Sequence, residues 1–334
     1  MAELIDKFGR IHDYIRISLT DKCNLNCVYC NPGTHNYKKL GKNDILTYNE
    51  LIRLIKIFLF YFEVRKIRFT GGEPLIRKDI ITFFEKLHDV KRRHDFEFCL
   101  TTNGTLLEDK IFLLKELGLN KLNISIDSLN AEKFSQITGK DVIKSVKRSI
   151  DMAEELKFDE LKINVVLIKG INDGEILDFV DFIRDREITL RFIEYMPFSC
   201  NGWDENMFVS CGEMKSMIER KYNLKKIDDS KLRVASNFKI EGYRGSIGFI
   251  SSISNLFCGS CNRIRIKSDG NMKSCLFSKE TEEIDLKKYI RDPLYDDSHI
   301  SQFIFDRLQL KEKEHMSVND IIKLEKNKMI DVGG

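Results

Sequence analysis

Six short β-rich runs alternating with amphipathic helical stretches, between Tyr14 and about Met196, predict an α/β fold. The expected architecture is an incomplete (βα)6 barrel of the TIM type over residues 1–197, with an α+β extension over residues 198–334 that covers the barrel mouth. A second observation sets the boundary. After Pro197 the βα rhythm stops, Phe198 to Asn206 is turn-rich, and Phe238 to Ile253 partly alternates as antiparallel strands do. A length of 334 residues can fill one large core or two modest ones, so neither part is too small to pack.

The strands are expected at Tyr14 to Leu19, Lys66 to Thr70, Phe96 to Thr101, Lys121 to Ile126, Lys162 to Ile168 and Thr189 to Tyr195. Helices fill the intervals. Between the first two strands, Thr47 followed three residues later by Glu50 makes a capping box, and Leu51, Leu54, Ile55, Phe58 and Leu59 then recur at helical spacing up to Phe62. That apolar face is expected to pack on the sheet. Beyond the boundary a helix is expected near Glu213 to Lys221, and the charged tail from Leu286 to Lys328 is helical in pattern. No internal repeat beyond the βα rhythm and no low-complexity segment is present.

Lys plus Arg 55 against Asp plus Glu 52 gives a net charge of +3, too small to make nucleic acid the main partner. No apolar run has the length of a membrane span, and the N-terminus has neither a signal h-region nor transit-peptide character. The expectation is a cytoplasmic protein without membrane or nucleic-acid partners. Nine cysteines, six of them in two tight clusters, read as metal ligands rather than a disulfide framework.

The first cluster is Asp21-Lys-Cys23-Asn-Leu-Asn-Cys27-Val-Tyr-Cys30, a CxxxCxxC run directly after the first strand. Three thiolates on an iron-sulfur cube leave one iron without a protein ligand and open to another molecule. A zinc knuckle or incidental buried cysteines are the alternatives, but zinc sites usually pair such a run with a second CxxC or a histidine pair. The spacing, with the aromatic Tyr29 before the third cysteine, resembles the signature of the radical S-adenosylmethionine (SAM) superfamily. Gly71-Gly72-Glu73-Pro74 follows the second strand, where two glycines allow close backbone approach to a ligand; alone it reads equally as a Gly-Pro turn. The later strands end in Thr101-Thr102-Asn103-Gly104, Ser125-Ile126-Asp127-Ser128 and Tyr195-Met196-Pro197, short polar or turn residues at the barrel mouth.

The second cluster is Phe257-Cys258-Gly-Ser-Cys261-Asn-Arg263-Ile-Arg265, with Cys275 following after thirteen intervening residues. A structural zinc site would want a fourth thiolate or a histidine, and only His299 and His315 follow, both far along the chain. A second cube with an open iron fits better. Cys99 reads as core within a strand, while Cys200 and Cys211 read as loop thiols, with a ligand role for either left open. Basic residues on strands spaced around one barrel converge on its axis, where an anionic ligand would offset their burial. By alternation Lys66 shares a strand face with Arg68 and is a weaker candidate of this kind.

The two triads, the CNRxR segment and the C-terminal Gly333-Gly334 together resemble the GTP 3′,8-cyclase family of molybdenum-cofactor synthesis, over nearly the whole chain. The resemblance implies two [4Fe-4S] clusters, one on Cys23, Cys27 and Cys30 with SAM on its open iron, the other on Cys258, Cys261 and Cys275 with guanine. It implies SAM contacts from Tyr29, Gly72, Ser125 and Met196, and puts Thr101 beside the nucleotide. It implies triphosphate contacts from Arg16, Arg68, Lys162, Arg191, Arg263 and Arg265, and a Gly333-Gly334 tail inserted towards the substrate. The implied reaction takes hydrogen from C3′ of the GTP ribose and joins C3′ to C8 of the guanine. It needs an external one-electron reductant, and its product passes to the cyclic pyranopterin monophosphate synthase; a homodimer is left open. No general acid or base is named by the sequence.

Overall fold

Six strands run parallel through the first half of the chain: β1 (Tyr14–Ser18), β2 (Lys66–Thr70), β3 (Glu97–Thr102), β4 (Lys121–Ser125), β5 (Glu160–Leu167) and β6 (Thr189–Glu194). The computed structural model that shows them describes residues 2–30, 39–198, 201–227, 235–324 and 328–333. All six lie where the βα rhythm placed them. β5 starts two residues earlier than expected because Glu160 and Leu161 already pair with Lys121 and Leu122 on β4.

β1 and β6 do not pair with each other, so the six strands make an open wall, consistent with an incomplete barrel. Two bare parallel edges would expose unpaired backbone groups. The chain after residue 198 covers both. On one side β7 (Leu224–Lys226), β8 (Ser236–Ile240) and β9 (Ser246–Ile250) add as an antiparallel run, with β9 parallel to β6. On the other side β10 (Arg263–Ile266) lies parallel to β1, followed outwards by antiparallel β11 (Asn271–Lys273) and β12 (Ile284–Asp285). One twelve-stranded sheet results, and its outer strands come from the extension.

Helix α1 (Tyr48–Tyr61) carries the expected capping box: Thr47 Oγ1 accepts from the Glu50 N–H, and the Thr47 N–H donates to Glu50 Oε2 at 2.6 Å. Leu51, Leu54, Ile55, Phe58 and Leu59 are all buried, as the spacing required. Helix α2 (Ile80–Lys91) sends Phe83 and Phe84 onto β2 and β3, where Phe69 meets Phe83 edge-on at 5.3 Å and Phe84 lies 5.1 Å from Phe98. This aromatic packing fixes the two strands whose ends carry Gly71-Gly72 and Thr101-Thr102. Further helices α3 (Ile111–Glu116), α4 (Ala131–Thr138), α5 (Ile143–Glu155) and α6 (Ile176–Phe182) complete the βα units, and α7 (Cys211–Glu219) begins the extension.

The tail departs from continuous helical character. It forms α8 (Leu286–Arg291), α9 (Asp297–Gln309), α10 (Val318–Leu324) and α11 (Met329–Val332), broken after α8, where Pro293 denies a helical N–H, and again between Leu310 and Ser317. Helix α9 is fastened to α1 by Arg53, whose Nε donates to Asp297 Oδ1 at 2.7 Å. Helix α11 belongs to a second, smaller apolar cluster of Phe198, Phe277, Ile321, Met329 and Val332, against which Cys30 and Met196 pack. That cluster brings the end of the chain to the open side of the sheet.

Candidate functional site

Cys23, Cys27 and Cys30 occupy the loop after β1, at the carboxyl ends of the parallel strands. They line a cavity of about 160 Å³ together with Gly71, Gly72, Thr101, Ser125 and Met196. Cys23 Sγ accepts from the Leu25 N–H at 3.4 Å and from Asn103 Nδ2 at 3.7 Å. The two glycines are needed for contact with this loop itself. A Cβ on Gly72 would stand 2.2 Å from the Lys22 carbonyl oxygen, and one on Gly71, at φ +152°, 2.6 Å from that of Thr20. Their tight seat is closed by Gly72 N–H to Thr20 O at 2.7 Å and Glu73 N–H to Lys22 O at 2.8 Å.

Sequence reasoning did not assign a role to Glu73. It is fully buried, and its carboxylate accepts from the Leu75 N–H, from Thr102 Oγ1 at 2.8 Å and from the Asn103 N–H at 2.7 Å. It thereby ties the GGEP loop to the end of β3, and burial pushes its pKa up to about 7. Asp127 is a second such residue. Tyr29 donates its hydroxyl to Asp127 Oδ2 at 2.6 Å, the Val166 N–H donates to Oδ1, and burial pushes Asp127 up to about 6. The signal available for both was a carboxylate among glycines or small residues at a strand end.

A second cavity of about 380 Å³ is lined by Arg16, Arg68, Lys162, Arg191, Arg263 and Arg265, with Cys258, Cys261 and Cys275 at its edge. The cations meet because the strands repeat one pattern in register. Tyr14-Ile-Arg16-Ile, Lys66-Ile-Arg68-Phe and Arg263-Ile-Arg265-Ile pair so that Arg16 lies between Arg265 and Arg68. The intervening Ile15, Ile17, Ile67, Phe69, Ile264 and Ile266 are buried in the core on the other face. A parallel sheet wrapped by helices usually buries apolar residues on both faces, so alternation here marks a polar interior.

Burial and the neighbouring guanidiniums hold the Arg16 and Arg265 pKa values below the ordinary range. Lys162 is pushed down to about 6 by burial and by Arg191; the Glu160 carboxylate beside it pulls the other way and does not prevail. Glu160 is itself drawn down to about 2, where burial is outweighed by Lys162 and Arg191. Tyr14 accepts from Arg68 Nε at 2.8 Å, and although burial alone would raise it, Arg68 and Arg16 bring its pKa to about 8. Lys66 lines the same cavity but is paired to Glu97 at 3.2 Å. Glu97, Lys121 and Glu160, absent from the sequence reading, place two carboxylates among eight Arg and Lys side chains, so a cationic excess remains for an anionic ligand.

Thr101 bridges the two cavities: it lines the first, and its Oγ1 accepts from Arg68 Nη1 at 3.3 Å. Asn164, Ile193, Met196 and Met329 line both. The tail reaches this junction. The Gly333 carbonyl oxygen accepts from Arg265 Nη1 at 2.9 Å and from Arg16 Nη2 at 3.2 Å, while Gly334 lies outside the described residues.

Three thiols in one short loop beside a glycine-built seat suit the donor set of an iron-sulfur cluster in the first cavity, and Cys258, Cys261 and Cys275 offer the same chemistry in the second. Among the described residues no three His, Cys, Asp or Glu side chains are gathered tightly enough to hold a single ion. His315, distant in sequence, is close in space: it lines the second cavity, and its ring stands 5.0 Å from that of Phe277. Both its ring nitrogens face carbonyl oxygens, of Met316 at 2.7 Å and Ser252 at 3.1 Å, so neither is offered to a metal. Cys99 is buried in β3 and Cys211 at the start of α7, neither lining either cavity, and Cys200 lies outside the described residues.

Residues 17–183 match the model of the radical SAM superfamily, and residues 188–317 that of a domain described as Molybdenum Cofactor Synthesis C. The chain is 42% identical to the mitochondrial GTP 3′,8-cyclase of Arabidopsis thaliana, over 99% of this chain and 83% of that one. It is 38% identical to the GTP 3′,8-cyclase of Listeria monocytogenes over the full length of both. The molybdenum cofactor biosynthesis protein 1 of Dictyostelium discoideum is 42% identical, and there the match spans about half (52%) of the relative. Among solved structures, Streptococcus suis SuiB bound to precursor peptide SuiA superimposes with a TM-score of 0.61 at 16% identity, over 94% of this chain and 74% of that one. That likeness is one of fold. Two matched domains in this order, with full-length relatives and two cysteine-lined cavities sharing a wall, leave one assignment: the chain belongs to the radical SAM superfamily and, within it, to the GTP 3′,8-cyclase family.

Proposed function

We propose that the chain is a GTP 3′,8-cyclase, a lyase that converts GTP to (8S)-3′,8-cyclo-7,8-dihydroguanosine 5′-triphosphate in molybdenum-cofactor synthesis, using SAM and two [4Fe-4S] clusters. One observation carries the reading. A cavity with a three-cysteine loop and a cavity with a second cysteine triad and eight Arg and Lys side chains share the wall formed by Asn164, Ile193, Met196 and Met329. A radical generated in one cavity can therefore reach a nucleotide held in the other without crossing solvent.

Cys23, Cys27 and Cys30 would hold the first cluster, with Tyr29, Gly72, Ser125 and Met196 around SAM. Cys258, Cys261 and Cys275 would hold the second, facing the guanine. When bound, the first cluster and SAM supply the 5′-deoxyadenosyl radical that takes hydrogen from C3′ of the ribose. The protein's own part is placement. Arg16, Arg68, Lys162, Arg191, Arg263 and Arg265 would neutralise the triphosphate, and Thr101 would sit between nucleotide and SAM. Gly333 and Gly334 would close the cavity from the tail side, the Gly333 carbonyl already engaging Arg16 and Arg265. An external one-electron reductant is required, the product would pass to the cyclic pyranopterin monophosphate synthase, and a homodimer is compatible with this scheme. Among the described residues no helix is long and apolar enough to cross a membrane.

The test is anaerobic reconstitution followed by incubation with SAM, dithionite and GTP. The expected outcome is 5′-deoxyadenosine together with a product isomeric with GTP, because the hydrogen lost from C3′ is replaced by the proton and electron of the reduction; it separates from GTP by chromatography and fragments as a C3′–C8 cyclised nucleotide. Release of 5′-deoxyadenosine with GTP recovered unchanged would keep the superfamily and refute the substrate.

A further inference from the structure

The loop between α9 and α10 brings a buried cation to the second triad. Lys311 is 3% exposed, and its Nζ donates to the Arg263 carbonyl oxygen at 3.2 Å and lies 3.7 Å from Cys261 Sγ. Among the described residues no carboxylate forms an ion pair with it. Four residues on, the His315 backbone bears on Cys258 and favours its thiolate. The loop is fastened behind the triad by Arg10. That guanidinium donates to the carbonyl oxygens of Glu312 and Lys313 at 2.8 Å each and to that of Cys258 at 2.9 Å. Arg10 is in turn held by buried Asp6, which also meets His12 Nε2 at 3.0 Å.

Cys23 and Cys27 of the first triad have the opposite surroundings. Cys23 accepts from the neutral Leu25 N–H and Asn103 carboxamide, the neutral Tyr29 hydroxyl bears on Cys27, and the charged side chains that bear on these two thiols are the carboxylates Glu73 and Asp127. Positive charge and hydrogen bonds at cluster sulfurs favour the reduced state, and nearby negative charge disfavours it. A buried ammonium lacking a carboxylate is itself costly, and a thiolate-ligated anionic cluster is the partner that would offset that cost.

We propose that Lys311 is a positioning residue for electrons: through Cys261 it holds the centre on Cys258, Cys261 and Cys275 at a higher reduction potential than the centre on Cys23, Cys27 and Cys30. The inference rests on the two-cluster reading above and assigns the two centres unequal electron affinity. In a chain carrying one reducing equivalent, that electron resides on the second centre. The Arg10 clamp is what keeps Lys311 at its sulfur.

The experiment is an anaerobic redox titration of the reconstituted full-length protein, with each centre followed by its electron paramagnetic resonance signal. Lys311→Gln keeps a donor for the Arg263 carbonyl without the charge, and Lys311→Arg keeps the charge. The expected result is a lower midpoint potential for the second centre in Lys311→Gln, no movement of the first, and a potential close to the parent in Lys311→Arg. An unchanged second-centre potential in Lys311→Gln, or an equal shift of both centres, overturns the proposal. So does loss of the second centre in both variants, because Lys311 then only holds the loop. Parent protein that binds about four irons instead of about eight fails the two-cluster reading itself, and the inference falls with it.

Discussion

The Gly333 carbonyl oxygen accepts a hydrogen bond from Arg265 Nη1 at 2.9 Å, so the last described residue of the chain touches a guanidinium on β10, the strand that pairs with β1. The contact is possible because Gly333 adopts φ +71°, and a Cβ there would lie 2.6 Å from Thr70 Cγ2. The left-handed conformation costs an L-residue about 1–2 kcal/mol before the clash is counted.

Gly333→Ala is therefore expected to lower GTP turnover by about tenfold or more, while leaving the melting temperature and iron content of the protein near their parent values. Steady-state product formation with parallel thermal unfolding checks this. A variant with full turnover would show that the tail contact with Arg265 and Arg16 has no part in catalysis.

Lys162 gives a pH dependence whose sign is fixed by burial and Arg191, which bring its pKa from 10.5 to about 6. The unfolded chain keeps this proton up to its ordinary pKa, whereas the folded chain without ligand releases it near pH 6. Stability therefore rises with pH between the folded and the unfolded pKa, and this contribution is flat below about pH 6, where both states hold the proton. A bound triphosphate reverses the preference by supplying negative charge. GTP binding at pH 8 is then expected to take up close to one proton, and affinity to fall by up to about tenfold per pH unit above pH 6.5. Calorimetry in buffers of different ionisation enthalpy measures the uptake, and Lys162→Met should abolish it. Equal uptake in parent and variant would assign the proton to the nucleotide.

The fold was legible because its signals are local and repeated. Leu51, Leu54, Ile55, Phe58 and Leu59 announce the buried face of α1, and every one of the six parallel strands could be placed from its β-rich run. The cationic interior was also visible, in the Ile-Arg alternation of β1, β2 and β10, since alternation on parallel strands has a polar inside as its simplest cause. What stayed hidden depends on distant returns of the chain. Glu160 acquires its role only when β5 lies against β4, and Lys311 and His315 only when the loop after α9 folds behind Cys258 and Cys261. Glu73 and Asp127 were visible as residues, but their hydrogen bonds to the end of β3, to Tyr29 and to β5 are tertiary.

Gly72 tests the seat of the first cysteine loop. Its missing side chain lets the backbone pass the Lys22 carbonyl oxygen, which a Cβ would approach to 2.2 Å, and a backbone neighbour cannot swing aside. Gly72→Ala should displace residues 20–23 and with them Cys23. The expected outcome is iron content falling from about eight to about four per chain, with loss of SAM cleavage and retention of the second centre's spectrum. Full iron loading with normal SAM cleavage would mean that the loop tolerates the shift and that the glycine is not required for assembly.

Arg263 and Cys258 separate substrate placement from radical generation. Arg263 lies over the Phe257 ring at 4.9 Å, lines the second cavity, and with Lys311 outweighs burial to bring the Cys261 thiol down to about 6. Among the described residues, Arg263 is not part of the lining of the first cavity. Losing a charge-assisted contact of about 1.5–3 kcal/mol predicts a fall of roughly ten- to a hundredfold in GTP turnover for Arg263→Ala. Cys258→Ser, which withdraws a thiolate from the second triad, should be at least as damaging. Both should still release 5′-deoxyadenosine from SAM under dithionite at close to the parent rate, because the first cysteine loop and its glycine seat are unchanged. Product analysis and 5′-deoxyadenosine quantification on the same samples separate the two activities. Normal cyclisation of GTP by both variants would remove the second triad from the reaction, whereas loss of SAM cleavage in both would mean that the two cavities assemble as one unit through the wall they share.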